Sequence, residues 1–295
     1  MTTINVTEIG AGRRANLTVD AKPGGGAILT LDVTEPAQPE PPAPPFRLGM
    51  EGPNGQPTRD IVAQYAPRYM RDFGAKINGE SLPSLTDHGT GKLADMPLTC
   101  IPHVSWKTDV MRLGPWLDGL TRPVYLTWYH EPMGDVSPAT YRNTASKITT
   151  ILAGHPNAHL VLGHGPIITR YWLDEGKGDP MDWWYPGANI YGIDWYEPNT
   201  SYKGAPALRA ALDKVRTALP GVRVLVPEYG LFPGAGRADA IERDVQWFRA
   251  EGIEAVAYWN SYTTKKVNGV DVIDRDYRIT WGTPESMTWN QLNQS

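Results

Sequence analysis

Two glutamates follow apolar stretches of the chain, in positions where a carboxylate could take part in chemistry. Glu131 comes shortly after the run Val124–Tyr129, and Glu228 comes shortly after Val222–Val226. An ionised carboxylate is costly to bury unless it is paired. Each glutamate on its own could be an ion-pair partner or the cap of the next helix. Two of them in the same setting, each beside aromatic residues, favour a shared chemical role.

Cleavage of a glycosidic bond is the reaction that needs two carboxylates. One protonates the departing oxygen, while the other either attacks the anomeric carbon or activates a water molecule. Retaining enzymes hold the pair about 5–5.5 Å apart and inverting enzymes about 6.5–9.5 Å, and the sequence leaves both outcomes open. Hydrolysis of another kind of bond is less favoured, because the sequence shows no Ser–His or metal-binding constellation. Neither a metal nor a cofactor is predicted.

The elements that position these glutamates are predicted from hydrophobic periodicity. Short apolar runs separated by helical patterns, such as those at 140–152, 205–219 and 237–251, are typical of parallel strands covered by helices. Eight such runs lie between residues 46 and 295, a length close to that of one (β/α)8 barrel. They are Phe46–Met50, Lys76–Asn78, Leu98–Val104, Val124–Tyr129, Leu160–Gly163, Ile190–Trp195, Val222–Val226 and Ala255–Trp259.

The predicted fold is therefore α/β, a TIM barrel over residues 46–295. Catalytic groups of such barrels lie where the strands end, and on this assignment Glu131 ends the fourth strand and Glu228 the seventh. A doubly wound sheet is the competing fold, but no GxGxxG segment follows a predicted strand.

The region before the barrel has a different character. Alternating apolar residues within 1–34 predict a small β arm of three strands joined by glycine-rich turns. Residues 35–45 contain six prolines and predict a stiff linker. An arm of this size can hardly bury a stable core alone, so we expect it to pack on the barrel, on a sister subunit or on another protein.

Composition narrows the class of partner. The chain has 11 Trp and 14 Tyr but only 4 Phe, a mixture suited to ligands that are both hydroxylated and partly apolar. A net charge of -4 argues against nucleic acid and membrane surfaces as partners. One cysteine, Cys100, excludes an intramolecular disulfide. The first residues lack the pattern of a signal peptide, which leaves a cytoplasmic and a virion-associated location both open.

Four stretches of the chain resemble glycoside hydrolase family 26, the family of many β-mannanases, within the clan of retaining (β/α)8 glycosidases. Together they span roughly residues 96 to 262. The His130-Glu131 pair is typical of this family, as is a Trp-Tyr-Pro-Gly segment that leads into Tyr-Gly-Ile-Asp-x-Tyr. The stretches are Met96–Trp106, Val124–Gly134, Trp184–Tyr196 and Val224–Gly230.

The resemblance implies a role for each matching residue. Glu131 would be the acid/base and Glu228 the nucleophile, which makes the reaction a retaining one. Tyr196 would orient the Glu228 carboxylate through its hydroxyl group. His130 would hydrogen-bond the sugar or the nucleophile. Trp259 would form the floor of the subsite at the scissile bond, and Trp106 would flank a neighbouring sugar. His103, near the end of the third strand, and Trp195, near the end of the sixth, are further candidates for binding the sugar. For His103 a packing role is an equal alternative.

Two departures from the family pattern stand next to the acid/base. Thr127 occupies the position where the family usually has arginine, and Glu131 is followed by Pro-Met-Gly instead of Met-Asn-Gly. Mannan is therefore not predicted as the substrate. The arm, the linker and the missing signal pattern also support a second hypothesis from another class, a structural or adhesive component such as a phage tail protein whose barrel only binds glycan.

Overall fold

A computed structural model gives the structure of the protein. It describes residues 2–6, 14–21, 27–34, 46–51, 64–65, 67, 69–72, 99–102, 113–118, 124–127, 132, 136–156, 158–162, 179–188, 190–197 and 206–295. The chain divides into two compact units, Met1–Pro44 and Pro45–Ser295.

The first unit is a three-stranded antiparallel sheet. Its strands are β1 (Thr2–Val6), β2 (Arg14–Ala21) and β3 (Ala27–Thr34), paired in that order. In this register Ile4 lies opposite Leu17, and Leu17 lies opposite Leu31. The β arm at residues 1–34 stays a prediction, and the predicted linker at 35–45 lies outside the described residues.

The second unit contains parallel strands and the helices that cover them. The strands are β4 (Arg47–Glu51), β5 (Tyr69–Asp72), β6 (Thr99–Pro102), β7 (Val124–Thr127), β8 (Ala158–Leu162), β9 (Ile190–Gly192), β10 (Trp195–Glu197), β11 (Arg223–Leu231) and β12 (Ala255–Trp259). The helices are α1 (Leu113–Leu117), α2 (Pro138–Leu152), α3 (Pro206–Ala218), α4 (Arg237–Ala250) and α5 (Pro284–Gln294). None of the helices in these described ranges is long and apolar enough to cross a membrane.

Parallel pairing connects these strands in the order β10, β11, β12, β4, β5, β6, β7, β8, β9. The last strand, β9, also pairs with β11, so the series of pairings returns to a strand near its start. The predicted α/β class with parallel strands is confirmed. Sequence order is also followed around the series, as expected when each strand is connected to the next by a helix.

The second, sixth and seventh strands differ most from the prediction, whereas the ends of the others shift by at most two residues. The second strand is Tyr69–Asp72, whereas the predicted run Lys76–Asn78 lies outside the described residues. The sixth is divided into β9 and β10. The seventh continues to Leu231, beyond Glu228.

An antiparallel hairpin that the sequence analysis did not predict follows the last parallel strand. Its strands are β13 (Tyr262–Val267) and β14 (Val270–Asp276). Asn268 and Gly269 connect them with positive φ angles of 52° and 81°, which matches the two-residue turn that Asn-Gly favours. The hairpin therefore stands at the carboxyl end of β12, where a barrel carries its functional loops.

Burial separates the two faces of the parallel sheet. The helix-facing side carries most of the core, including Val224, Val226, Val256 and Tyr258. The opposite side, which we call the inner face, carries a smaller cluster. Its members are Tyr125, Ile190, Leu225, Ala255 and Ala257. Strict alternation along β12 places odd-numbered residues on the inner face.

A buried ion pair lies at the amino ends of the strands, opposite the end where Glu228 lies. Glu254, whose side chain is 4% exposed, accepts hydrogen bonds from Arg223 at 2.6 and 2.5 Å and another from the Tyr125 hydroxyl. Arg47 donates to the same tyrosine oxygen at 3.3 Å. Burial by itself raises the pKa of Glu254, but the hydrogen bonds from Arg223 and Tyr125 outweigh it and hold the pKa below its ordinary value. The network thus keeps Glu254 ionised and joins four strands, β4, β7, β11 and β12.

Removing the buried carboxylate should destabilise the fold. We expect Glu254→Ala to lower the free energy of unfolding by about 3 kcal/mol, because the half-buried Arg223 side chain loses its ion-pair partner. Asp271→Ala removes an exposed ion pair with Lys266 and should cost less than about 0.5 kcal/mol. Urea denaturation of both variants measures the difference, and equal losses would contradict a structural role for the network.

Stability should also depend on pH through His159, whose ring lies 5.4 Å from that of Tyr125. Burial, and then the positive charge of Arg223, hold the pKa of His159 below its ordinary value. A lowered folded pKa contributes stability that is present above the unfolded pKa of about 6.5 and is lost as the pH falls through the folded value. We therefore expect the melting temperature to fall between about pH 7 and pH 5. The fall should be smaller in His159→Gln, and an unchanged fall would exclude His159 as a contributor.

Candidate active site

Glu228 owes its direction to an irregularity in β11. Val226 pairs with Val256 and Tyr229 with Tyr258, so β11 carries one residue more than β12 between these pairs. Such a bulge reverses the alternation of side chains. Leu225 lies on the inner face, yet Tyr229 faces the helices and donates to Asp244 of α4 at 2.8 Å. The reversal assigns Glu228 to the inner face, where its side chain is 3% exposed.

Pro227 explains why the irregularity occurs at this point. Proline has no N–H to donate to a neighbouring strand, and within sheets it is confined to edges, strand starts and bulges. The segment Val226-Pro-Glu228 thus interrupts the ladder beside the carboxylate. A local sequence feature, rather than a distant contact, turns this glutamate inward.

Tyr196 meets Glu228 from the neighbouring strand. It lies in β10, which pairs with the carboxyl end of β11, and its hydroxyl donates a hydrogen bond to Oε2 of Glu228. A hydroxyl that donates to a carboxylate favours the ionised form. The contact therefore suits a carboxylate that acts as a base or nucleophile rather than one that gives up a proton.

Tyr196 belongs to a set of four aromatic rings that pack on one another, which we call the aromatic group. They are those of Tyr196, Phe232, Trp259 and Tyr277. The Tyr196 ring stands edge-on to Trp259 at 5.6 Å, and Tyr277 lies 5.0 Å from Tyr196 and 5.3 Å from Trp259. Contacts at these distances fix the orientation of the rings. The tyrosine that holds Glu228 is thereby held in place itself.

The sequence analysis missed two members of this group, Phe232 and Tyr277, and Tyr277 is the one that contacts Tyr196. It is 3% exposed, and burial raises the pKa of its hydroxyl to about 12. Its carbonyl accepts hydrogen bonds from Arg237 and, at 2.8 Å, from Tyr258, while its N–H donates to Ser261 at 3.0 Å. The residue stands at the base of the β13–β14 hairpin. The Asn268-Gly269 turn was the signal that could have revealed the hairpin and the residue that follows it.

Gly230 leaves the space that the two tyrosines occupy. A Cβ atom at this position would lie 2.8 Å from Cδ1 of Tyr277 and 2.9 Å from Cδ1 of Tyr196. Both distances are below van der Waals contact, so any larger residue would displace a ring. The glycine is thus required by close packing two residues after Glu228, and not by an unusual φ angle.

The structure brings some of the sequence-predicted residues together and not others. Glu228, Tyr196 and Trp259 form one group, as set out above. Trp195 is 7% exposed and packs in the helix-facing core instead. Thr127 is fully buried at the end of β7, and its hydroxyl has no hydrogen-bond partner among the described residues. Four candidates lie outside the described residues: Glu131, His130, Trp106 and His103. Within the described ranges, no three His, Cys, Asp or Glu side chains could share a metal ion.

Solved structures similar to this chain are glycoside hydrolases. The endo-1,4-β-mannanase of Rhizomucor miehei matches with a TM-score of 0.56 and 11% identity, over 89% of this chain and 96% of that one. The endo-β-1,4-mannanase of Thermotoga petrophila matches at 0.52 and 12%, over 84% and 76%. A family 128 endo-β-1,3-glucanase of Amycolatopsis mediterranei, complexed with laminaritriose, matches at 0.51 and 13%, over 83% and 99%. No known family profile and no characterised protein matches the chain by sequence.

At these identities the likeness shows the fold alone. The fold is similar to that of TIM-barrel glycosidases, and the described residues show the α/β class with parallel strands. The structures that match come from glycosidases of several families and do not single out family 26, so the resemblance to family 26 is not confirmed.

Enlarging Gly230 should separate Tyr196 from Glu228. We expect Gly230→Ala to lower the free energy of unfolding by about 1–3 kcal/mol, because an added methyl group overpacks the site. Its crystal structure should show the Tyr196 hydroxyl moved out of hydrogen-bond distance of Glu228. Gly114→Ala is the matched control, since among the described residues its Cβ would meet only Ile151, at 3.7 Å, and alanine favours a helix. An unmoved Tyr196 in Gly230→Ala would contradict the packing argument.

Proposed function

We propose that the protein is a retaining glycoside hydrolase built on a closed (β/α)8 barrel. Glu228 is the nucleophile and Glu131 the general acid/base. The observation that carries the proposal is the hydrogen bond from Tyr196 to the buried Glu228 at the carboxyl ends of β10 and β11. The barrel rule places catalytic groups at that end of the strands.

The reaction proceeds in two displacements. Glu228 attacks the anomeric carbon of a β-glycoside as Glu131 protonates the departing oxygen, and a covalent glycosyl ester forms. Glu131, now a carboxylate, then takes a proton from water, and the water oxygen displaces Glu228 from the same carbon. Two inversions restore the β configuration. The role of Glu131 is proposed from the sequence alone, in which it comes shortly after the end of strand β7.

The aromatic group explains how the described residues serve these steps. Trp259, half-buried at the end of β12, offers an indole face to the apolar side of a pyranose ring. The rings also exclude water from Glu228, which strengthens every electrostatic interaction there. Tyr196 holds the carboxylate in one rotamer while the anomeric carbon approaches.

We take the substrate class from the proteins of similar fold. The departures from the family 26 pattern at Thr127 and Pro132 do not indicate a substrate. The proteins of similar fold are named for β-1,3-glucan and β-1,4-mannan. A β-linked neutral polysaccharide of glucose or mannose is therefore the first class to test. The family 26 resemblance keeps mannan in the panel without favouring it. None of the structures compared above is a virion component, so the tail-protein hypothesis retains only its sequence argument.

Loss of either glutamate should abolish turnover. We expect Glu228→Ala and Glu131→Ala to reduce sugar release by about a thousandfold or more, since each removes a group that the reaction needs. Glu242→Ala, an exposed glutamate on α4, is the control that should retain full activity. Reducing-sugar release from laminarin, galactomannan, cellulose derivatives and bacterial-envelope polysaccharides measures all four proteins, and proton NMR of the first product shows its anomeric configuration.

Each possible result supports or contradicts a specific part of the proposal. Release of β-anomeric product by the parent protein, lost in both variants, supports the full proposal. An α-anomeric first product would replace it with an inverting mechanism. An active Glu228→Ala variant would remove Glu228 as nucleophile, and silence of the parent protein on the whole panel would favour the glycan-binding alternative.

A further inference from the structure

A cavity of about 580 Å³ lies at the same end of the strands as Glu228 but on the other side of the hairpin base. Its walls include Asn260, which follows β12, and Pro233, which follows β11. Trp259 and Tyr277 turn their rings towards the aromatic group, whereas their sequence neighbours Asn260 and Arg278 line the cavity. The same two segments therefore separate the cavity from the nucleophile. The volume falls in the range of small-molecule sites.

Trp281 forms an exposed aromatic surface in this cavity. Its side chain is 53% exposed, although indole is among the largest apolar groups that a fold can bury. The ring is nevertheless fixed, since it stands perpendicular to Tyr65 at 5.4 Å. Tyr65 is 2% exposed and donates to the Ile279 carbonyl at 2.9 Å. The indole face is thus held rigidly and left open.

The floor of the cavity is held in place by hydrogen bonds of buried side chains. Asn260 is 2% exposed, and its Oδ1 accepts a hydrogen bond from the Ile279 N–H at 2.6 Å. Arg237 is 4% exposed and donates to the carbonyls of Tyr277 and Arg278. These bonds connect the cavity wall to the base of the hairpin. The binding surface is therefore formed before a ligand arrives, and binding costs little conformational entropy of these side chains.

The charges around the cavity balance. Arg237 and Arg278 are opposed by Asp276 and Glu285, and Arg278 binds Asp276 through two hydrogen bonds of 2.9 and 2.7 Å. A surplus of one sign would favour an ionic ligand, but these groups sum to zero. Planar guanidinium, carboxylate and amide groups beside an aromatic face are the chemistry that binds a neutral polyhydroxylated ring.

We infer that this cavity is a second saccharide-binding site, with Trp281 as the stacking surface, for a neutral polysaccharide chain. The inference rests on the proposed function, because it takes the chain to act on a neutral glycan. The site binds the polymer beside the catalytic cleft and raises the local concentration of cleavable bonds there. It takes no part in bond cleavage.

Affinity electrophoresis tests the site without cleavage of the ligand. The full chain carrying Glu228→Gln is run through gels that contain laminarin, galactomannan or hydroxyethylcellulose, beside a gel that contains alginate. On the polymer that retards this parent most, adding Trp281→Ala should raise the dissociation constant about tenfold, since the stacking surface is lost. Met287→Ala removes an equally exposed apolar side chain outside the cavity and should leave retardation unchanged.

A second measurement locates the ligand. The indole N–H signal of Trp281, identified by its loss in Trp281→Ala, should shift when laminaripentaose, cellopentaose or mannopentaose is added. An unshifted signal together with retardation that does not depend on Trp281 would overturn the inference. So would an absence of retardation by every neutral polymer, or stronger Trp281-dependent binding of alginate.

The two proposals fail in different ways. Binding that depends on Trp281, without sugar release by the chain with intact Glu228, would refute the proposed hydrolase and leave the second site standing. Sugar release, together with polymer binding that does not depend on Trp281, would refute the second site and leave the proposed hydrolase standing.

Discussion

The direction of one buried carboxylate is the constraint on which the rest of the site depends. A regular β11 would point Glu228 at the helices, into the apolar core formed by residues such as Val226 and Tyr229. The bulge at Pro227 turns it to the inner face, where Tyr196 can donate to it. The cost of burying an ion makes such a contact necessary and not optional. The strand irregularity, the inward direction of Glu228 and its hydrogen bond to Tyr196 therefore depend on one another.

The residues that stabilise the fold and the residues proposed for catalysis lie at opposite ends of the same strands. At the amino ends, Arg223 and Glu254 form an ion pair that joins β11 to the strands around it. At the carboxyl end, β11 carries Glu228 and Gly230 instead. There β11 pairs with β10, with Tyr196 opposite Gly230, and the Tyr196 hydroxyl donates to Glu228. A barrel can vary the chemistry at one end because the other end holds the strands together.

Much of this arrangement could be predicted from sequence, and the failures have physical causes. Apolar runs and helical periodicity were sufficient for the parallel α/β class, and the setting of Glu228 was enough to mark it out. The strand Tyr69–Asp72 was missed because Tyr69-Met-Arg-Asp is too polar to stand out as a buried run. Tyr277 was missed because its importance comes from a hairpin that returns it to Tyr196, a contact 81 residues apart in the chain. Periodicity reports on local structure and cannot reveal such a contact.

The hairpin base links the two sites that the structure suggests. Tyr277 faces the aromatic group, while its carbonyl and the next residue belong to the wall of the Trp281 cavity. Arg237 and Tyr258 both bind the Tyr277 carbonyl, so this short segment is fixed from the cavity side. The cavity wall and the packing of the tyrosine that binds Glu228 therefore depend on one segment. Close packing and the hydrogen bonds to its carbonyl hold that segment in a single conformation, so both sites are formed before a ligand binds.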